Sequence, residues 1–81
     1  MAVHWDEFES KRGATPVYRQ LAGWIAKRIA DGSLEPGDQI PAERRFAEMT
    51  GLSVDTVRSA MGALCEAGLV ETGHGTGTFV V

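Results

Sequence analysis

Residues 41–67 read PAERRFAEMTGLSVDTVRSAMGALCEA, and this stretch decides the fold. The run over 42–50 places Phe46 and Met49 on one side of a helical wheel, which predicts a helix with a single buried face. Gly51 follows that run directly, and glycine supplies the backbone conformation that a tight turn needs. The first half of the stretch therefore predicts a short helix that ends in a sharp turn.

Ser53 predicts the start of the next helix, because a serine hydroxyl is a favoured N-cap. Asp55 lies in the first turn, where a carboxylate suits the positive end of the helix dipole. We expect this helix to run over 53–67 and to bury the stripe Val57, Ala60, Met61 and Leu64. Two helices joined by a short glycine-containing turn are typical of a helix-turn-helix.

A further helix precedes this unit. Thr15 can cap it, Pro16 suits its first position, and Asp31-Gly32 should end it. Its inward side carries apolar residues at helical spacing together with one arginine, whose stem is buried while its charge stays in water; these residues are Val17, Leu21, Trp24, Ile25, Arg28 and Ile29. A proline-glycine turn over 34–38 and a two-residue strand at 39–40 come next.

The chain end over 69–81 has two short strand-like runs around a glycine-rich turn, which predicts a β-hairpin. The fold class is thus mainly α with a small β-hairpin: a winged helix-turn-helix of three helices and a C-terminal wing, over 15–81. Residues 1–14 form an N-terminal arm. In the arm, Trp5 and Phe8 either pack on the domain or provide a self-association surface.

Length and composition exclude several classes of protein. The chain has 81 residues, enough for one small domain, and a formal net charge of −3, which alone argues against a nucleic-acid ligand. The distribution of charge matters more, because a locally cationic face acts over roughly 8–10 Å. We expect no membrane helix and no signal peptide. The single Cys65 suits a reducing, cytoplasmic location and falls beside the buried stripe, as a structural thiol would.

Catalysis and metal binding are not expected. The glycine-rich loop over 73–78 lacks the lysine of a P-loop and has no helix after it. Cys65, His4 and His74 do not have the spacing of metal ligands. No serine or cysteine has a histidine in an evident catalytic arrangement. We therefore predict a protein that is not an enzyme and that needs no cofactor.

Six short blocks, in order, resemble the winged helix-turn-helix domain of the GntR family of bacterial transcription regulators, from Val17 to Val80. The blocks are SLEPGD at 33–38, IPAER at 40–44, GLS at 51–53, TVRSAM at 56–61, GLV at 68–70 and GTGTFV at 75–80. The resemblance implies that the second and third helices straddle the DNA backbone and that the third enters the major groove. The 69–81 wing would reach toward the minor groove.

Carried over position by position, the resemblance implies DNA contacts at Arg44, Ser53, Thr56, Arg58, His74 and Gly75. A guanidinium early on the second helix can clamp a phosphate through two hydrogen bonds. Hydroxyls and free N–H groups in the first turn of the third helix can also meet a phosphate. Arg58, one turn in, suits the O6/N7 edge of guanine.

Several of these residues have a structural alternative. In this alternative Ser53 caps the helix and makes no DNA contact. Arg58 can form an intramolecular ion pair with Asp55 or Glu66. Protonation of His74 could make the wing contact depend on pH, or His74 is a plain turn residue.

At three positions the chain departs from the family pattern. It has Val54 where arginine is usual, Asp55 where a small or hydroxyl-bearing residue is usual, and Thr76 where a cation is common. Fewer cations at the DNA face release fewer counterions on binding. This predicts weaker binding, or a different base preference, than in members that carry those arginines.

The resemblance implies a sequence-specific DNA-binding transcription regulator, a repressor, that binds a pseudo-palindromic operator in double-stranded DNA as two copies. The family's usual small-molecule effector domain is not expected in this chain, which is either cut just after Val80 or a stand-alone winged helix. In the second case the arm or the DNA itself would bring the copies together. The alternative is a winged helix used for protein contact, as an accessory or anti-repressor module with weak or no DNA binding. The acidic balance favours this alternative, whereas Arg44 and Arg58 favour DNA.

Overall fold

The structure is a computed structural model that describes residues 3–73 and 77–81. Within these residues the chain forms a 3-10 turn, three α-helices and three short strands. The turn is Trp5–Glu7, the helices are α1 (Val17–Ala30), α2 (Glu43–Thr50) and α3 (Val54–Glu66), and the strands are β1 (Gln39–Ile40), β2 (Val70–Gly73) and β3 (Gly77–Val80). The predicted mainly α, winged helix-turn-helix fold is confirmed.

The start of α1 differs from the sequence prediction, because Thr15 does not cap it. Pro16 occupies the N-cap position, and no side chain among the described residues caps the helix there. Instead the amide of Gln20, in the first turn, donates to the carbonyl oxygens of Thr15 at 2.8 Å and Lys11 at 2.9 Å. Its oxygen accepts from the backbone N–H of Lys11 at 2.7 Å. A glutamine that reaches backward thus ties the preceding chain to α1.

The turn between α2 and α3 follows the predicted chemistry. Gly51 has a left-handed φ of 74°, and its N–H donates to the carbonyl oxygen of Ala47 at 2.9 Å. Ser53 caps α3: its Oγ accepts from the backbone N–H of Thr56 at 3.1 Å. These two residues set where α2 stops and where α3 begins.

The core lies where α3 packs against both α1 and α2. All four residues of the stripe predicted for α3 are buried. Among residues 3–73 and 77–81 the buried residues are all apolar: Phe8, Leu21, Ile25, Leu34, Ile40, Phe46, Ala47, Val57, Ala60, Met61, Leu64, Val70 and Val80. With its inner side held by this packing, α3 presents its opposite side to solvent.

The wing is part of a sheet in the order β1-β3-β2, with both pairs antiparallel. Ile40 is opposite Thr78 in one pair, and Gly73 is opposite Gly77 in the other. The preceding turn adds two backbone hydrogen bonds with Val80, from the N–H of Gly37 at 2.8 Å and to the oxygen of Asp38 at 2.9 Å. The wing is therefore fastened to the segment that leads into α2.

The N-terminal arm packs on the domain, as one of the two sequence readings expected. Phe8 is buried, and its ring centroid lies 6.0 Å from that of Trp24. The Trp5 ring lies 6.2 Å from Trp24 and 5.1 Å from Phe46. Because these rings contact the same chain, they do not form a free self-association surface. The division of the chain at residue 14 stays a prediction.

Two side chains lie in surroundings that the sequence did not predict. The guanidinium of Arg28 lies over the Trp24 ring at 5.6 Å, and its Nε is 3.3 Å from the Asp31 carboxylate. Hydrogen bonds from Ser33, with the nearby Arg28 charge, lower the pKa of Asp31. Cys65, which the sequence placed beside the buried stripe, is exposed, with Sγ 3.9 Å from Thr72 Oγ1. It lies just outside the stripe that α1 covers.

Candidate nucleic-acid interface

The N-terminal halves of α2 and α3, with the cap of α3, carry four of the residues that the sequence singled out: Arg44, Ser53, Thr56 and Arg58. Arg44 is the second residue of α2 and is exposed. Among the residues that the structure describes, its guanidinium has no ion pair or hydrogen bond. Phe46 and Ala47 are buried on the other side of this short helix. Arg44 is thus held on a packed helix with its donors open to a ligand.

Arg58 lies between two carboxylates. Its Nε is 3.3 Å from Glu43 Oε1 on α2, and its Nη1 is 3.8 Å from Asp55 Oδ1 one turn earlier on α3. The Arg58 side chain is nonetheless 63% exposed. The pairing with Asp55 was one of the sequence alternatives, and the described residues show no pairing with Glu66.

These ion pairs are weak enough for a ligand to compete with them. The carboxylates are themselves accessible, with exposed side-chain fractions of 39% for Glu43 and 94% for Asp55. Exposed pairs contribute only about 0–1 kcal/mol, because water and salt screen them. The pairing therefore orients the Arg58 guanidinium without removing it from solvent. Glu43 was missed by sequence reasoning, since a contact across the turn between two helices leaves no periodic signal.

Ser53 and Thr56 form a hydroxyl pair at the start of α3. The Ser53 hydroxyl donates to Thr56 Oγ1 at 2.8 Å while its oxygen accepts from the Thr56 N–H at 3.1 Å. In this arrangement the Thr56 hydroxyl proton is left to donate elsewhere. The capping role of Ser53 is confirmed, and Thr56 provides a donor at the positive end of the helix.

The two wing contacts that the resemblance assigned, His74 and Gly75, lie outside the described residues, as does Thr76. What the structure places is their frame, the paired residues Gly73 and Gly77 on either side. The wing contacts therefore stay predictions from the family resemblance.

Val54 has a packing role that the sequence comparison did not reveal. It is half-buried and packs against the core, although it directly follows the helix cap. Its neighbour Asp55 is almost wholly exposed. The two departures from the family pattern thus differ physically, because the first adds apolar contact and the second adds an exposed charge.

Comparison with known proteins identifies the fold and its class. Residues 17–80 match the family model described as bacterial regulatory proteins, gntR family. The chain belongs to the GntR family. Its members are transcription regulators rather than enzymes, which agrees with the sequence prediction.

Two curated relatives of this GntR chain are repressors by name. It is 43% identical over 68 residues to the mannosyl-D-glycerate transport/metabolism system repressor MngR of Escherichia coli K12, covering 84% of this chain and 28% of MngR. It is 38% identical over 71 residues to the transcriptional repressor NagR of Bacillus subtilis 168, covering 88% of this chain and 29% of NagR. The chain therefore spans less than a third of the length of these relatives.

A solved structure extends the likeness to a DNA complex. The crystal structure of AraR(DBD) in complex with operator ORX1 superposes on this GntR chain with a TM-score of 0.79 and 33% identity. The match covers 91% of this chain and 92% of the AraR chain.

The described helices of the GntR chain are all too short or too polar to span a membrane.

Proposed function

We propose that this protein is a sequence-specific DNA-binding regulator that reads the major groove with the helix at 53–67 and the minor groove with the 69–81 wing. The observation that carries the proposal is the exposure of Arg44 and Arg58 on adjacent helices, beside the hydroxyl pair of Ser53 and Thr56. Two guanidiniums and a helix N-terminus that share one face suit a polyanion with a readable groove. Such a regulator would act in the cytoplasm.

Each residue would have a distinct role on the duplex. Arg44 would clamp a phosphate, since two parallel N–H donors match phosphate oxygens. Thr56 would donate its hydroxyl proton to a phosphate at the mouth of the groove. Glu43 engages the Nε of Arg58, and Asp55 lies 3.8 Å from Nη1, too far for a hydrogen bond, so both terminal nitrogens keep donors for O6 and N7 of a guanine. On the wing, His74 and Gly75 would approach the sugar-phosphate backbone, as the family resemblance implies.

The biological role would be repression from a pseudo-palindromic operator. The names of MngR and NagR support repression, and the AraR complex supports an operator as the partner. Two copies would bind, because a symmetric site presents the same half-site twice. The operator would hold them together if the chain is a monomer when free, since the aromatic rings of the arm already pack on their own domain.

Selection of bound sequences from a random duplex pool, at stated salt, tests this proposal. The wild-type chain should recover a guanine-containing half-site, and Arg58→Ala should lose it. Lys27→Ala is the control, because it removes the same charge from an exposed position on α1. Equal loss in both variants would mean that Arg58 contributes only general charge, and no motif with wild type would refute sequence-specific binding.

A winged helix used for protein contact is the second candidate. The two carboxylates beside Arg58 and the net charge of −3 favour it, because they repel a phosphate backbone. It predicts that the selection recovers no motif and that duplex affinity stays unchanged between low and high salt. DNA binding through phosphates would instead weaken measurably as salt rises, with a slope set by the number of phosphates contacted.

A further inference from the structure

Asp55 is an exposed anion beside Arg58 on the proposed reading face. Its side chain is 94% exposed, in the first turn of α3, on the side away from the buried stripe. The 3.8 Å between its Oδ1 and Arg58 Nη1 is an ion-pair distance but too long for a hydrogen bond. Both carboxylate oxygens therefore keep lone pairs that can accept from a ligand.

Few groups of a DNA duplex can donate a hydrogen bond to a carboxylate. Phosphate oxygens repel it, and the donors that face the major groove are the N4 amino group of cytosine and the N6 amino group of adenine. On adenine the acceptor N7 lies beside N6 and repels a second acceptor, whereas cytosine has no acceptor on that edge. A carboxylate brought into the major groove on α3 is thus best satisfied by cytosine.

The neighbouring Arg58 supports this match. Glu43 holds the Arg58 Nε at 3.3 Å, so its terminal nitrogens are the ones left for guanine. The 3.8 Å from Arg58 Nη1 to Asp55 Oδ1 is close to the roughly 3.4 Å rise between stacked bases. An acceptor and a donor at that spacing can reach bases that lie within one step of each other.

We infer that Asp55 is a specificity-determining residue that accepts a hydrogen bond from N4 of a cytosine within one base step of the guanine read by Arg58. This inference rests on the proposed function, since it assigns a base to one more residue of the same face. It also gives the exposed anion a role in recognition, and it does not require the carboxylate to contact phosphate.

The experiment uses the full chain and its Asp55→Asn and Asp55→Ser variants, all checked for folding by circular dichroism. Wild type should select cytosine at one position beside the guanine. Asp55→Asn should select adenine there, because an amide pairs with N6 and N7 of adenine, and Asp55→Ser should lose the preference. Both variants should still select guanine at the position read by Arg58. Replacing that cytosine with thymine should weaken wild-type binding about tenfold or more and the serine variant far less.

Two results would overturn the inference while leaving the proposed function intact. In the first, both variants select the same bases as wild type at every position. In the second, both variants bind all duplexes more tightly by one common factor, which is the mark of an anion that only repels phosphate. A wild-type pool without any motif would instead refute the proposed function itself, and this inference with it.

Discussion

At the residue scale, two glycines of the helix-turn-helix have opposite effects on stability: one is favoured over alanine at its position and the other is not. Gly51 closes α2 in a left-handed conformation, whereas Gly62 lies inside α3 on its exposed side. Within the part of the chain that the structure describes, a Cβ added at either position meets no atom within 4 Å. Substitution at each site therefore tests the backbone alone, without steric contact from neighbours.

We predict that Gly51→Ala lowers the free energy of unfolding by about 1 kcal/mol, because an L-residue is strained at positive φ. Gly62→Ala should raise it by about 1 kcal/mol, because alanine favours the helix. Urea unfolding followed by circular dichroism measures both, with each variant serving as the control for the other. Changes of the same sign would contradict the account.

At the element scale, the start of α3 combines a structural and a proposed functional role in Ser53. Its side chain caps the helix, and the resemblance also assigns it a DNA contact. Aspartate is as good a cap as serine, but it carries a charge that phosphate repels. Substitution can therefore separate the two roles.

Ser53→Ala should lower the free energy of unfolding by about 1 kcal/mol, since the cap is lost. Ser53→Asp should keep wild-type stability and yet weaken duplex binding at low salt. Ser59→Ala, at an exposed position within α3, is the control for both measurements. If Ser53→Asp bound DNA as well as wild type, Ser53 would be a cap and nothing more.

The N-terminal arm is a second element whose role depends on packing. Phe8 is buried against Trp24, so Phe8→Ala should lower the free energy of unfolding by about 3 kcal/mol. Thermal unfolding measures the loss, and Glu9→Ala, at an exposed position beside it, should leave stability unchanged. A neutral Phe8→Ala would mean that the arm adds nothing to the fold.

At the scale of the whole molecule, net charge and local charge differ in sign. The chain carries −3 in total, while the N-terminal halves of α2 and α3 hold Arg44, Arg45 and Arg58 against the carboxylates of Glu43 and Asp55. A duplex would sense this face over roughly a Debye length of 8–10 Å. With few cations to release counterions, binding should depend only modestly on salt.

Val54→Arg should therefore tighten duplex binding and steepen the dependence of log K on log salt by about 0.9. It should also cost some stability, because Val54 packs against the core. Fluorescence anisotropy over a salt series measures the slope, and Val54→Met is the uncharged control of similar length. Equal slopes for the two variants would show that position 54 does not face phosphate.

Local signals predicted most of the fold. Glycine and serine marked the ends of α2 and α3, and helical spacing identified the four buried residues of α3. Such signals work because a cap or an apolar stripe is set by residues within a few positions of each other. Of the candidate site, the exposure of Arg44 and Arg58 followed from the helical wheel, whereas the contact of Arg58 with Glu43 did not.

The sequence by itself determined the order of the three helices and the wing, their bounds to within a residue or two, and the family to which they belong. Only the tertiary structure decided that Glu43 holds Arg58, that β1 joins the wing in one sheet, and that the arm aromatics pack on α1 and α2. These contacts join residues far apart along the chain. No local period encodes them, because they depend on how the helices and strands come together around the shared core.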